Sequence, residues 1–220
     1  MNVFDIIGPV MIGPSSSHTA GVSRIGKIAG AIFGEEIREA AITFHSTFAD
    51  TYRGHGSDSA IIGGLLGFEQ DDRRIGNSLE LAVNAGLKYS FTTAFLGDVH
   101  PNTIMLHLTG VSGKKMNIVG ASTGGGNIMI TKINQLHVEV TCQYYTLVIQ
   151  HNDKPGVISR VSGILGCNEI NIAAMKVYRS FRSGNAVMVI ETDEGVREKV
   201  ITDIRQLCDI TEVAAIAAVV

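Results

Sequence analysis

Glycine is spread unevenly along this chain, and that unevenness limits what each part can fold into. Residues 1–142 hold 20 of the 25 glycines and six of the seven histidines, leaving five glycines and His151 for residues 143–220. Glycine lets backbone approach a neighbour or a ligand closely and take positive φ, at a cost in conformational entropy. A stretch that concentrates it needs close approach somewhere. The chain therefore reads as two abutting domains, 1–142 and 143–220, together long enough to bury two modest cores.

Periodicity gives each domain its class. In the first, residues 20–33 carry Ile25, Ile28, Ala29, Ile32 and Phe33 at helical spacing, with Gly21, Gly26 and Gly30 permitting a tight neighbour. Helices are also predicted over 57–66 and 77–85, and strands over 39–46, 88–96, 103–108, 115–120, 127–133 and 136–141, separated by Gly- and Asn-bearing turns. That is an α+β domain. The second domain alternates: strand 145–150, helix 156–165, strands 170–178 and 185–191, helix 196–207 and strand 210–217. The order is βαββαβ, the ferredoxin-like arrangement.

Charge and cysteine usage remove several function classes. A net charge of −3 with 18 scattered Lys and Arg offers no footprint for nucleic acid or an anionic membrane. No apolar stretch approaches the roughly 18–20 residues of a membrane span, and residues 1–5 lack the basic start of a signal peptide, so a cytoplasmic protein is expected. Cys142, Cys167 and Cys208 are odd in number and far apart, which draws neither a disulfide framework nor a metal knuckle. No metal site is expected in this chain. A thiol-bound metal would need ligands from another.

Five segments can carry chemistry. Gly13-Pro14-Ser15-Ser16-Ser17-His18-Thr19 precedes the first strong helix, where free N–H groups attract anions and the helix dipole disfavours protonation of His18. One Ser would suffice to cap the helix. Gly54-His55-Gly56-Ser57-Asp58 also opens a helix, as a ligand loop or as a plain glycine turn; Ser59, where the third glycine belongs, excludes a dinucleotide fingerprint. His100-Pro101-Asn102 is a site with fixed side chains or an ordinary turn. Residues 120–127 can form an anion nest at Gly124, Gly125 and Gly126 or a flexible hairpin; Ser122 also completes G-x-S-x-G, but a strand rather than a helix follows, which argues against an esterase. His151, Asp153 and Asn171 sit where one strand ends and another begins, able to clamp an amino acid or to close a tight turn. His45, His107 and His137 lie in strand patterns and read as structural.

Taken together and in this order, GPSSSHT, GHGSD, His100-Pro101-Asn102-Thr103 and GASTGGGN resemble the beta subunits of iron–sulfur-dependent bacterial L-serine dehydratases. Residues 147–220 look like the ACT domain that some members append. The resemblance implies a first domain similar to the allosteric substrate-binding domain of phosphoglycerate dehydrogenases, followed by the ferredoxin-like ACT domain. It also implies a [4Fe-4S] cluster ligated by a separate alpha subunit, L-serine as substrate, pyruvate and ammonia as products, and ACT-mediated self-association. Ser57 stands where the family's loop has Thr, keeping the hydroxyl. Asp153 stands where serine-binding ACT domains have Asn, and its carboxylate would repel that of an amino acid.

The roles that follow are specific. His18 is the first candidate for removal of the α-proton and His100 the second. Ser15, Ser16, Ser17, Thr19, His55, Asn102, Ser122, Gly124, Gly125 and Gly126 are the candidates for holding the substrate. A rival reading makes the chain a non-catalytic amino-acid sensor that acts on its partner through the ACT half.

Overall fold

The computed structural model describes residues 10–45, 48 and 51–218. Two compact units form, Met1–Asn134 and Gln135–Val220. In chain order the first contains α1 (Gly21–Phe33), β1 (Ile37–His45), α2 (Ser57–Leu65), α3 (Ser78–Asn84), β2 (Lys88–Ala94), β3 (Thr103–Gly110), β4 (Lys115–Gly124) and β5 (Asn127–Ile133).

The apolar stripe of α1 does what its spacing predicts. Ile25, Ala29, Ile32 and Phe33 are completely buried, and the helix packs on β4, β5 and α2. Gly34 ends it in the left-handed conformation, φ 78°, donating its N–H to the Gly30 carbonyl, a turn that suits glycine because no Cβ opposes it. Within this unit the sheet runs β2-β1-β3-β4-β5. β1 pairs in parallel with β2 and antiparallel with β3, so Ile42 lies between Phe91 and Leu106. β4 continues beyond residue 120, because register shifts after Val119 and Ser122 let the ladder pass through the glycines. Ser122 is thus a strand residue.

Between α1 and α2, backbone packs directly on backbone. A Cβ on Gly64 would lie 2.0 Å from the Ser23 carbonyl oxygen, and one on Gly26 would lie 2.4 Å from that of Ile61. These obstacles are backbone atoms, which cannot swing aside. The helices touch main chain to main chain.

The second unit holds β6 (Leu136–Val140), β7 (Tyr145–Asn152), α4 (Val157–Cys167), β8 (Ile172–Arg179), β9 (Asn185–Thr192), α5 (Glu198–Arg205) and β10 (Ile210–Ile216). Strands β10-β7-β9-β8 pair antiparallel throughout, which is the expected ferredoxin-like order. Leu147, Ile149, Met188 and Ile190 from the strands meet Val157, Val161, Leu165, Val200 and Ile204 from the helices in one core. Among the described residues no helix is long and apolar enough to cross a membrane.

Because the Gly64 position is closed by backbone, Gly64→Ala is expected to destabilise the first unit by about 3 kcal/mol. Urea unfolding followed by circular dichroism checks this; an unchanged midpoint would contradict the close contact.

Candidate functional site

Cross-contacts between the first two helices advance in the same direction: residue 18 meets 57, 23 meets 64, and 30 meets 65. The helices are therefore parallel, and their positively polarised N-termini lie side by side. The two loops that enter them carry GPSSSHT and GHGSD, and this shared geometry brings His18 and His55 together.

Ser15 caps a single π-type turn, Ser16–Ala20, that leads into α1. Its Oγ accepts the His18 backbone N–H at 3.1 Å and lies 3.1 Å from His18 Nδ1. Ser16 and Ser17 are half-buried in the same turn. Thr19 is buried and donates its hydroxyl to the His55 carbonyl at 3.0 Å. Ser57, also buried, donates to the His18 carbonyl at 2.6 Å. The Thr19 hydroxyl is committed to this bond, so the structure gives it a cross-loop contact rather than an open substrate-binding face.

The rings of His18 and His55 stack with centroids 4.9 Å apart and planes at 26°. The Phe48 ring covers His18 from another side at 4.8 Å. His55 Nδ1 lies 3.0 Å from the Thr51 carbonyl. A carbonyl only accepts, so Nδ1 carries the hydrogen and the neutral ring exposes Nε2 as an acceptor. Burial, and then the neighbouring His55 charge, push the proton affinity of His18 below the ordinary imidazole value. Neutral at physiological pH, His18 can take a proton at Nε2 when Nδ1–H donates to Ser15 Oγ.

Ser122 reaches the same helix start from the sheet. Its Oγ would lie 2.1 Å from a Cβ on Gly21, so only glycine at 21 admits it. The side chain is completely buried, and its hydroxyl has no partner among the described residues. The Ser122 N–H donates to the Asn102 carbonyl at 3.0 Å, which ties the His100-Pro101-Asn102 turn to β4. His100 is exposed, and its Nδ1 accepts the Asn102 N–H at 3.1 Å. With that lone pair engaged, Nε2 carries the hydrogen and the ring is a donor.

Gly124, Gly125 and Gly126 all have positive φ, 103°, 62° and 83°. Gly124 pairs with Asn127 across the ladder, so Gly125 and Gly126 are the two central residues of a tight hairpin, which needs positive φ at both. The Gly126 carbonyl accepts from Arg24 Nη1 at 2.8 Å in the buried interior, which pins the hairpin to α1. Arg24 and Phe48 are residues the sequence reading did not single out. A lone Arg inside the apolar run 20–33 was the available signal for the first; Phe48 carried none.

In the second unit, the three candidate ligand residues make separate contacts. Asp153 accepts from the Ser183 N–H and from Arg179 Nη1, each at 3.1 Å, and these hold its carboxyl below the usual range. Asn171 Nδ2 donates to Asp193 at 2.6 Å. His151 is buried with Nδ1 2.9 Å from the Asn152 carbonyl and Nε2 without a partner among the described residues. Cys142 is buried, and desolvation pushes its thiol up to about 12, whereas Cys167 and Cys208 are exposed. No group of three or more His, Cys, Asp or Glu among the described residues could hold a metal ion.

Comparison with known proteins agrees with this layout. The family model for the serine dehydratase beta chain matches residues 2–83, and that for the ACT domain matches residues 145–209. The chain is 40% identical to the probable L-serine dehydratase beta chain of Bacillus subtilis over 216 residues, 98% of each protein. It is 39% identical to the L-serine dehydratase beta chain of Peptoniphilus asaccharolyticus over 90% of this chain and 89% of that one. D-3-phosphoglycerate dehydrogenase of Bacillus subtilis is 25% identical over 88% of this chain, which spans 37% of that enzyme.

The lowered proton affinity of His18 has a consequence for stability. Folding excludes the proton that the unfolded chain would bind, so this contribution is complete above the ordinary imidazole range and is lost as pH falls through it toward the lower folded value. Urea unfolding free energy is expected to decline between about pH 7.5 and pH 5 more steeply in the wild type than in His18→Gln. Parallel curves would show that His18 is not perturbed.

Proposed function

Since the chain belongs to the serine dehydratase beta-chain family, we propose that it is one subunit of a two-chain L-serine ammonia-lyase that converts L-serine to pyruvate and ammonia. The observation that supports this reading best is the His18–His55 stack at two adjacent helix N-termini, in which burial disfavours protonation of His18. A positive electrostatic end favours a carboxylate, and a neutral imidazole beside it favours proton abstraction. Both are needed to act on the α-carbon of an amino acid.

The residues of this chain do not fit an iron–sulfur cluster. Such a cluster needs several thiolates converging on it, while here one cysteine is buried and protonated and the other two are exposed. The cluster is assigned to the alpha chain, the expected partner. Within this chain, the amides that open the turn at residues 16 and 17, together with Ser15, Ser16 and Ser17, hold the substrate carboxylate. The unpartnered Ser122 hydroxyl and Asn102 close that pocket from the sheet, and Gly124, Gly125 and Gly126, pinned by Arg24, form its rim.

His18 Nε2 then takes the α-proton. Loss of the β-hydroxyl as water leaves aminoacrylate, whose hydrolysis releases pyruvate and ammonia. The His55 ring, stacked on His18, holds that imidazole in place, and His100, whose ring is a donor, serves as a hydrogen-bond partner to the substrate. Residues 143–220 form the ACT domain in this reading. The buried, unpartnered Nε2 of His151 supports an amino-acid effector role for it.

His18→Ala in an anaerobically reconstituted alpha–beta complex is expected to lower kcat for pyruvate formation by about 100-fold or more, with cluster absorbance intact. Near-normal turnover would remove His18 as the base. Absence of pyruvate from the wild-type complex would remove the dehydratase reading itself.

A further inference from the structure

The two hydroxyl bonds that join the histidine loops are reciprocal. Thr19, next in sequence after His18, donates to the carbonyl of His55 at 3.0 Å. Ser57, two residues after His55, donates to the carbonyl of His18 at 2.6 Å. We propose that Thr19 and Ser57 are positioning residues whose crossed hydrogen bonds clasp the two loops and hold His18 and His55 in their stack. The clasp is a property of this chain; only its effect on turnover rests on the dehydratase reading.

Three observations carry the assignment. Both donors are buried, at 2% and 0% exposure, so water does not compete for either bond. Each bond ends on a histidine's own carbonyl, so it fixes that residue's backbone rather than a neighbour's. The hydroxyls are also turned away from the task their positions suggest. Ser57 opens α2 after Gly56, which has no side chain, yet neither α1 nor α2 receives a side-chain cap bond. Hydroxyl residues at helix starts ordinarily bond the free N–H groups of their own helix; here they bond the other loop.

Gly13 completes the device. At φ 129° it adopts a backbone conformation that favours glycine, and a Cβ there would lie 2.4 Å from Thr19 Cγ2. The backbone packed against that methyl holds the Thr19 hydroxyl toward His55. The spacing matters because two charged rings 4.9 Å apart repel strongly. Among the described residues, the groups that face His18 are the His55 ring, the Phe48 ring and the Ser15 hydroxyl. His55 is the ionisable one among them. On the His55 loop, Arg53 is bonded to the Tyr52 hydroxyl and Asp58 to the Ser59 N–H. Loss of the clasp admits water to His18 and lets the rings part, so burial, and then His55, oppose its protonation less and its Nε2 loses its aim.

The test follows the imidazole resonances by NMR through a pH titration of the full chain, comparing wild type with Thr19→Val, Ser57→Ala, and the hydroxyl-retaining Thr19→Ser and Ser57→Thr. In the wild type the His18 ring is expected to titrate displaced to acid. In Thr19→Val and Ser57→Ala the His18 midpoint moves back toward the ordinary range, while Thr19→Ser and Ser57→Thr keep the wild-type behaviour. With the alpha chain, Thr19→Val and Ser57→Ala are expected to lower kcat on L-serine roughly 10-fold or more, KM staying within about twofold. If Ser57→Ala does not fold, the isosteric Thr19→Val decides on the same spectra. A folded Thr19→Val with unchanged His18 titration overturns the proposal. A wild-type complex that makes no pyruvate leaves the NMR result standing and overturns only the dehydratase reading.

Discussion

Main-chain contact between α1 and α2, made possible by Gly26 and Gly64, is the constraint on which the arrangement of the first unit depends. Helices that meet through side chains lie 8–10 Å apart; removing the Cβ atoms at the crossing brings the backbones into touch. Two loops that enter such helices must then meet as well. The histidine pair, its hydroxyl bonds and the adjacent serines all sit at that shared end. Nothing in either loop alone would hold them there.

The electrostatic character of the site follows from the same parallel alignment. Burial, and then the neighbouring His55, oppose protonation of His18, and two helix N-termini side by side favour anions over cations. An imidazole in that setting is kept neutral, in the state that can receive a proton. The cysteines present the opposite case: burial keeps Cys142 protonated, and Cys167 and Cys208 lie exposed. The two environments shift their groups for the same reason, since burial disfavours the charged form of imidazole and thiol alike.

Much of the secondary structure was legible because its signals are local. The apolar spacing of 25, 28, 29, 32 and 33 predicts α1, and alternation in the second unit predicts its six main elements nearly residue for residue. The GPSSSHT and GHGSD loops could each be recognised as unusual helix starts. Their meeting could not be read, because it depends on the parallel direction of two helices separated by β1. The same applies to the parallel pairing of β1 with β2, to Arg24 beneath the glycine hairpin, and to Ser122, where bulges extend β4 beyond the point at which glycine content suggests a loop. Thr19 is the instructive case. Its position invites a substrate contact, but its hydroxyl is spent on a carbonyl far along the chain.

The parallel ladder between β1 and β2 closes over residues 46–87, and the His55 loop and α2 lie entirely within that excursion. Closing so long a connection costs chain entropy before any strand contact repays it. The helix that delivers His55 is consequently ordered by a late, non-local event, whereas the hairpins of β3, β4 and β5 can form from neighbours in sequence. During synthesis, the parallel ladder cannot close until residue 94, the last of β2, has emerged. A translation pause before that point would leave open the β1 edge that β2 covers, while the opposite edge of β1 waits for β3.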